Sequence, residues 1–390
     1  MPQAYELTLA EVITETDDAR SFVFHIPDAL KPIFEYRPGQ FLTVEIPWEG
    51  GFDVRRCYSL SSTPGMDAKP QVTVKRVEGG RVSNWMIDTL AAGHTLRVQP
   101  PEGRFVLDDA APDSRALLLL GGGSGITPLL SLLKHTLAHT ERRCVLVYAN
   151  RHEGAVIFKA ALDALVAAYP GRFTAHHHLD SEGGYLTADA LAGWIEGIGA
   201  ADAYVCGPTA FMDMAESVLN RVGVPAAHQR YERFVSPVDP DRKQAPQMED
   251  LDLPSGLDGF TLRLEGTLHQ VAYQDGQTLL ESAKAAGVNA PHSCEDGFCG
   301  ACMCKLIKGD VRMDEHEALS KADLANGMVL LCQARPASAD PIVVDYDGTA
   351  FAAAGEVPAP IPVQGGGMAW VPAVVAGVGA AAAAAWYFLG

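Results

Sequence analysis

The sequence predicts a multidomain chain: an antiparallel six-stranded β-barrel, an α/β domain on a parallel sheet, a small α+β domain, and a C-terminal transmembrane helix. Three observations predict the domains. Residues 1–107 hold six short alternating apolar segments divided by turn signals, with one helical stretch among them. Residues 108–235 change period, to buried-type strands alternating with helices. Residues 259–349 carry four cysteines with 4, 2 and 29 residues between them.

Composition narrows the function class. The chain has 390 residues, 48% of them hydrophobic and 20% charged, with a formal charge of −18. Nucleic acid is disfavoured, because its phosphates would be repelled. An acidic surface suits a basic protein partner; residues 259–349 alone hold 7 Lys and Arg against 13 Asp and Glu. The opening Met1-Pro2-Gln3-Ala4-Tyr5-Glu6 has neither a basic nor an apolar leader character, so the expected setting is a reducing cytoplasm. Of eight cysteines, Cys57, Cys144, Cys206 and Cys304 fall outside the four-cysteine pattern.

In the barrel, strands are expected at 5–13, 20–26, 40–46, 54–60, 71–77 and 95–99, and a helix at 83–90. Arg56-Cys57-Tyr58-Ser59 closes one strand with a cation, an aromatic and a hydroxyl. Arg56 and Tyr58 share a face, where a guanidinium can grip pyrophosphate and a phenol can pack on a flat ring. After the strand ending at Val77, Gly79-Gly80-Arg81-Val82-Ser83-Asn84 opens the helix. The glycines allow close backbone approach, Ser83 is expected to cap, and the helix N-terminus favours phosphate. The two motifs together favour a flavin dinucleotide.

The second domain starts with strand 116–120, which runs into Gly121-Gly122-Gly123-Ser124-Gly125-Ile126-Thr127-Pro128 and a helix at 129–137. Further strands are expected at 145–149, 173–178 and 203–206, and helices at 155–168, 187–195 and 209–222. Such alternation places a nucleotide at the strand C-termini. The glycine loop does not have GxGxxG spacing. Cys206-Gly207-Pro208 ends another strand, where a reacting group is expected. His176, His177 and His178 alternate faces on their strand and cannot converge on a metal. Tyr231-Glu232-Arg233-Phe234 ends the domain.

Residues 236–258 are a Pro- and Asp-rich linker. In the third domain, Cys294, Cys299 and Cys302 share a tight glycine-containing loop and Cys332 joins from afar, the plant-type spacing for a [2Fe–2S] cluster. Zinc sites usually offer two short pairs, and disulfides fit poorly without a secretory leader. Cys304 reads as a non-ligand. Residues 350–368 read as a tether, and 369–389 as a membrane-spanning helix. Those last 21 residues are uncharged and would span roughly 31 Å. Trp370, Trp386 and Tyr387 suit the two interfaces.

The assembled motifs resemble the ferredoxin–NADP reductase superfamily. More narrowly they are similar to reductase components with a C-terminal ferredoxin domain, of the 3-ketosteroid 9α-hydroxylase and phenylacetyl-CoA epoxidase type. The resemblance spans about residues 5–348 and implies a β-grasp fold for the third domain. It implies that Arg56, Tyr58, Ser59, Val77, Gly80, Arg81, Val82 and Ser83 hold FAD, with Thr127 near the flavin. It implies a nicotinamide site from Gly121, Gly122, Gly123, Gly125, Cys206, Gly207, Pro208 and Phe234, with Ser59, Cys206 and Glu232 around the reacting atoms. The doubled Arg55-Arg56 departs from the pattern, and only Arg56 fits it. The implied activity passes electrons from NADH through FAD and the cluster to a terminal oxygenase acting on a steroid, lipid or aromatic substrate. Arg151 could accept the 2′-phosphate of NADPH, but Glu153 would repel it. Other acceptors in keeping with the pattern are a membrane desaturase or an alkane hydroxylase. From another class, the chain could be a membrane-tethered NADH redox sensor.

Overall fold

The computed structural model describes residues 3–48, 52–234 and 258–347, apart from single residues 265, 293, 296, 298, 317 and 320, together with residues 361–362. The linker before residue 258 lies outside the described residues.

Six antiparallel strands form the first unit: β1 (Tyr5–Thr16), β2 (Ala19–His25), β3 (Phe41–Trp48), β4 (Phe52–Ser59), β5 (Gln71–Lys75) and β6 (Thr95–Val98), ordered β4-β3-β6-β1-β2-β5. A bridge between Leu60 and Val72 joins the two ends and closes the barrel. β1 runs past its expected end because Thr16 pairs with Ala19 across a two-residue turn, where the Thr16 hydroxyl donates to Asp18 at 2.9 Å. Alternate side chains, among them Leu7, Leu9, Phe22, Phe24, Leu42 and Val44, fill the interior. Helix α1 (Arg81–Thr89) buries Val82, Met86 and Ile87 against this core.

The second unit is a five-stranded parallel sheet: β7 (Ala116–Gly122), β8 (Cys144–Asn150), β9 (Phe173–Leu179), β10 (Ala201–Gly207) and β11 (Gln229–Arg233), ordered β11-β10-β7-β8-β9. Its helices are α2 (Ile126–His139), α3 (Lys159–Ala168), the short α4 (Asp180–Gly183), α5 (Ala188–Ile195) and α6 (Thr209–Arg221). Strand residues alternate between two cores. Leu117, Leu119, Leu146 and Tyr204 pack with α2 and α3, whereas Leu118, Leu120, Val147 and Val205 pack with α5 and α6. Burial on both faces is why these strands read as unbroken apolar runs. The α3 helix starts at Lys159 rather than Ala155, because Phe158 is left-handed (φ 62°) after a separate 3₁₀ turn. The fifth strand, β11, was not expected; its single buried residue, Gln229, gives it no apolar signature.

The third unit contains β12 (Gly259–Leu264), β13 (Thr267–Ala272), α7 (Leu279–Ala285), β14 (Met303–Lys308), β15 (Val311–Met313), α8 (Lys321–Ala325), β16 (Met328–Leu330), β17 (Ala334–Pro336), β18 (Ile342–Asp345) and the two-residue β19 (Ile361–Pro362). The main sheet has the order β16-β14-β18-β12-β13-β19, and β15 pairs with β17. Thr278 and Glu281 form a capping box at the start of α7. β19 falls within the segment read as a tether and pairs in parallel with β13, through His269 and Ile361.

The expected membrane-spanning segment, residues 369–389, lies outside the described residues. Among the described residues no helix is long and apolar enough to cross a membrane.

Candidate functional site

Strand β4 is the junction of the molecule. Its register with β3 sets Arg55 opposite Glu45, Cys57 opposite Thr43 and Tyr58 opposite Leu42. Arg56 and Tyr58 share one face, while Arg55, Cys57 and Ser59 share the other. The second face leaves the barrel. Arg55 Nη1 stands 3.6 Å from Glu295 Oε1 on the four-cysteine loop, and its Nε is 3.3 Å from Glu45, both as ion pairs outside hydrogen-bond alignment. Ser59 Oγ donates to Glu232 Oε2 on β11 at 2.8 Å. Glu45 is buried, and its charge is balanced by Arg97 at 2.9 Å and a hydrogen bond from Gln99 at 2.7 Å, besides Arg55.

The turn from β5 to α1 forms a second wall. Its helix cap is Gly80, and Ser83 is not the cap that the sequence led us to expect. Ser83 sits in the first helical turn, where its hydroxyl accepts from Val77 N at 3.1 Å and ties the turn shut. The turn depends on glycine: Gly79 has φ +68°, and a Cβ on Gly80 would lie 2.8 Å from Ser83 Oγ. No side chain caps the first-turn amides of α1, so they remain disposed to receive an anion beside Arg81.

The third wall is the C-terminal end of the parallel sheet, where strand order reverses between β7 and β10. Ligands bind at such switch points. The glycines there serve the approach of the two strand ends to each other. A Cβ on Gly125 would lie 2.0 Å from the Cys206 carbonyl oxygen, and one on Gly122 would lie 2.8 Å from Pro208 Cδ. From this loop, Ser124 and Thr127 line the cleft, and Gly121, Gly122, Gly123 and Gly125 are not among its lining residues. Cys206 pairs in register with Gly121 on one side and Glu232 on the other. Its thiol is fully buried, in the core that the strands share with α2 and α3, and burial pushes its pKa well up. Gly207 and Pro208 also pack behind the wall, against Gly122 and Phe211. Burial raises Glu232 to about 8, partly offset by the Ser59 hydrogen bond. Arg151 is held at 2.8 Å by Asp18 of the barrel.

The fourth wall is the four-cysteine loop. Glu295, Gly297 and Gly300 all have positive φ, which coils the chain tightly around its own interior. Gly297 suits this position, because its φ is +84° and a Cβ there would crowd Gln333 Cγ at 3.0 Å and Glu315 Cβ at 3.1 Å. All four cysteines are free thiols: Cys294, Cys302 and Cys332 are buried, and Cys299 is half-buried. They fall into two pairs, with Cys294 N donating to Cys299 Sγ at 3.5 Å and Cys302 Sγ lying 3.1 Å from Cys332 Sγ. No three donors among the described residues converge as a single ion would need. Two irons taking two thiolates each ask for this paired arrangement, so the donor set fits a [2Fe–2S] cluster. Cys304 is buried on β14, in the domain core. Lys284 braces Glu295 at 2.8 Å, and Tyr346 Oη donates to the Cys302 carbonyl at 3.2 Å while Arg104 of the barrel lies 5.7 Å over the Tyr346 ring.

The four walls enclose a cleft of about 450 Å³. Arg56, Tyr58, Ser59, Val77, Gly80, Arg81, Val82, Ser83, Thr127, Glu232 and Phe234 line it together with Cys294 and Cys299. Cations and open amides for a pyrophosphate stand beside the half-buried Tyr58 phenol for a flat ring, which fits FAD.

Comparison with known proteins agrees with this geometry. Residues 6–107 match the oxidoreductase FAD-binding domain family, 119–217 the oxidoreductase NAD-binding domain family, and 262–337 the 2Fe-2S iron-sulfur cluster binding domain family. The chain is 44% identical over 332 residues to the ferredoxin reductase component of 3-ketosteroid-9-alpha-monooxygenase from Rhodococcus rhodochrous, covering 85% of this chain and 93% of that one. It belongs to the family of oxygenase reductase components. This reductase is also 34% identical to a subunit of 1,2-phenylacetyl-CoA epoxidase from Escherichia coli, over 90% of its own length and all of the relative's. The structure of phthalate dioxygenase reductase superposes with a TM-score of 0.54 at 26% identity, covering 88% of this chain and 98% of that one. The reductase therefore carries FAD-binding, NAD-binding and [2Fe–2S] domains and serves a terminal oxygenase.

Several lining residues were missed in the sequence, among them Arg55 and Cys57. Arg55 looked like a surplus neighbour of Arg56, and Cys57 like a thiol outside the four-cysteine pattern. The strand alternation that grouped Arg56 with Tyr58 also grouped Arg55 with Cys57 and Ser59, and that was the available signal.

Proposed function

We propose that NADH is the electron donor, that Ser59 and Glu232 serve the hydride-transfer end of the cleft, and that the acceptor is a Rieske-type oxygenase of a steroid, lipid or aromatic substrate. The observation that carries the reading is the single cleft to which Ser59, Glu232, Cys294 and Cys299 all contribute, one group of residues from each domain. FAD supplies the change from a two-electron donor to a one-electron centre. The chain's own part is to hold Arg56, Tyr58 and Arg81 around the flavin and to keep a proton on Glu232 beside the Ser59 hydroxyl. Cys206 acts behind Glu232, as a neighbour in the sheet. The cluster ligands are Cys294, Cys299, Cys302 and Cys332. NADH is favoured because Asp18 already engages Arg151, the cation nearest a 2′-phosphate in the sequence. The relatives of the steroid monooxygenase type, at 40–44% identity, favour a steroid-like oxygenase substrate. The working units on this reading are 1–107, 108–235 and 259–349. We further propose that residues 369–389 anchor the reductase at the cytoplasmic face of a membrane.

The test separates electron entry from electron exit. Cys294→Ser should keep NADH oxidation with ferricyanide, which drains the flavin directly, and lose reduction of a one-electron protein acceptor. Loss of both in a folded, flavin-loaded variant would refute the route. Equal kcat/KM with NADPH would refute the coenzyme choice. Fractionation of the full chain beside a chain ending at Thr349 tests the anchor: a full chain extracted by alkaline carbonate would remove it.

A further inference from the structure

A row of hydroxyls runs along the outside of the barrel from the cleft to Glu15. Ser21 on β2 and Thr73 on β5 are opposed in the strand register, and Phe22 and Val72 beside them fill the barrel interior. The two hydroxyls therefore share the outward face with Ala19, which packs into the core around α2. Ser21, Ser61 and Thr73 are buried there, and Thr73 is also part of the cleft wall. The β1–β2 register shifts between Thr14 and Thr16 and skips Glu15, and a bulge of this kind re-aims a side chain. Glu15 meets Ser21, whose hydroxyl donates to Glu15 Oε1 at 2.5 Å. Ser21 Oγ lies 2.7 Å from Thr73 Oγ1, which lies 2.8 Å from Ser61 Oγ. A hydroxyl has one proton to give. Ser21 commits its own to Glu15, so Thr73 donates to Ser21 and Ser61 donates to Thr73. Gln71 Nε2 donates to Ser21 at 3.0 Å and to Ser61 at 3.2 Å, which holds both serines in place. One lone pair of Thr73 is left over. Of the charged groups beside the bulge, Asp17 is exposed, Asp18 pairs with Arg151 and Lys75, and Arg20 donates to Thr14. The proton affinity of Glu15 is raised by burial and lowered by the Ser21 bond.

We propose that Thr73, Ser21 and Glu15 form a proton relay that drains the cleft during electron transfer. The proposal rests on the reading in which NADH delivers a hydride to this cleft and the cluster removes its two electrons singly. A hydride stripped of two electrons is a proton, so each turnover leaves one proton in the site. Glu232 is no acceptor for it, because burial already keeps a proton there at neutral pH. The bond that holds the hydride-derived proton in the cleft breaks as a bond to Thr73 Oγ1 forms. The Thr73 proton passes to Ser21 Oγ, and the Ser21 proton passes to Glu15 Oε1. Each hydroxyl ends with one proton, and no electrons travel along the row. Glu15, half-buried, then returns the proton to water. The donor directions set by an ionised Glu15 are the ones this transfer needs.

The experiment uses the holo-reductase, full chain, as wild type, Glu15→Gln, Ser21→Ala and Ser21→Thr. Protein reduced by one equivalent of NADH is mixed with ferricyanide in weak buffer, and a pH-indicator dye reports the released proton in stopped flow. Glu15→Gln and Ser21→Ala should slow proton appearance by about tenfold or more, whether or not oxidation slows with it. Ser21→Thr, which keeps the hydroxyl, should restore the rate. Infrared spectra of the flavin-free protein give a readout independent of turnover. Acidification should raise a protonated-carboxyl band that Glu15→Gln lacks and Ser21→Ala shifts. If Ser21→Ala fails to hold FAD, Glu15→Gln, which lies outside the cleft, decides. Proton appearance at the wild-type rate in Glu15→Gln, or a Glu15 band unmoved by Ser21→Ala, overturns this inference alone. Failure of NADH to reduce the bound flavin in wild type overturns the reading beneath it, and the relay with it.

Discussion

Glu232 is an acidic side chain held where charge is costly. With burial raising its pKa to about 8 from the ordinary 4.5, it is mostly protonated at neutral pH in the flavin-free protein. Ser59 donates to one carboxyl oxygen, so the acidic proton is left for the other. The consequence for stability has a definite sign. Between about 4.5 and 8 the unfolded chain releases a proton that the folded chain keeps, so stability falls as pH rises through that window. A tenfold change in proton affinity is worth about 1.4 kcal/mol, so the full effect reaches a few kcal/mol. Glu232→Gln should therefore melt higher than wild type at pH 9 and show little advantage at pH 4.5, in calorimetry of the flavin-free protein. Parallel pH profiles for the two would mean that Glu232 is not raised. In the loaded reductase the same substitution should slow stopped-flow flavin reduction by NADH more than it weakens FAD binding.

At the scale of elements, the site is made by two strand ends meeting and one strand facing two ways. Gly125→Ala tests the first. Its Cβ would overlap the Cys206 carbonyl, which is backbone and cannot swing aside. Overpacking of this kind costs about 1–3 kcal/mol or more. We expect a melting temperature several degrees lower, with weaker nicotinamide binding in direct titration, whereas Gly171→Ala, with open space around its Cβ, should disturb neither fold nor site beyond local turn strain. Much of this scale was legible in the sequence. Period changes separated the barrel from the sheet because strands buried on one face alternate while strands buried on both do not. The cysteine spacing named the cluster because three ligands on one loop leave few other chemistries. Ser83 was misread because a hydroxyl near a helix start looks the same whether it caps the helix or closes the preceding turn. β11 was missed because an edge strand with little buried surface has no apolar pattern.

At the scale of the whole molecule, the barrel grips the cluster domain at two places that flank Cys57. Arg55 meets Glu295 on one side, and Arg104 stacks over Tyr346 on the other. Tyr346 in turn donates to the carbonyl of Cys302, so the stacking contact bears directly on the four-cysteine loop. Both contacts are polar and partly exposed, as in interfaces between domains that move relative to one another. The Arg55–Glu295 pair, with side chains 18% and 24% exposed, should be screened in part by salt. Hydride transfer to the flavin depends on the barrel and the nicotinamide domain; onward transfer depends on the cluster domain being docked. The double variant Arg104→Ala with Glu295→Gln should therefore leave the rate of flavin reduction by NADH within about twofold of wild type, since neither group meets the nicotinamide end. It should slow the appearance of reduced cluster by tenfold or more, through loss of the docked population. Single-turnover stopped flow without any acceptor reads the two steps separately, so binding of an oxygenase cannot confuse the result. Raised salt should slow the second step in wild type and have less further effect in the double variant. Cluster reduction at the wild-type rate in that variant would mean that these two contacts do not hold the domains together.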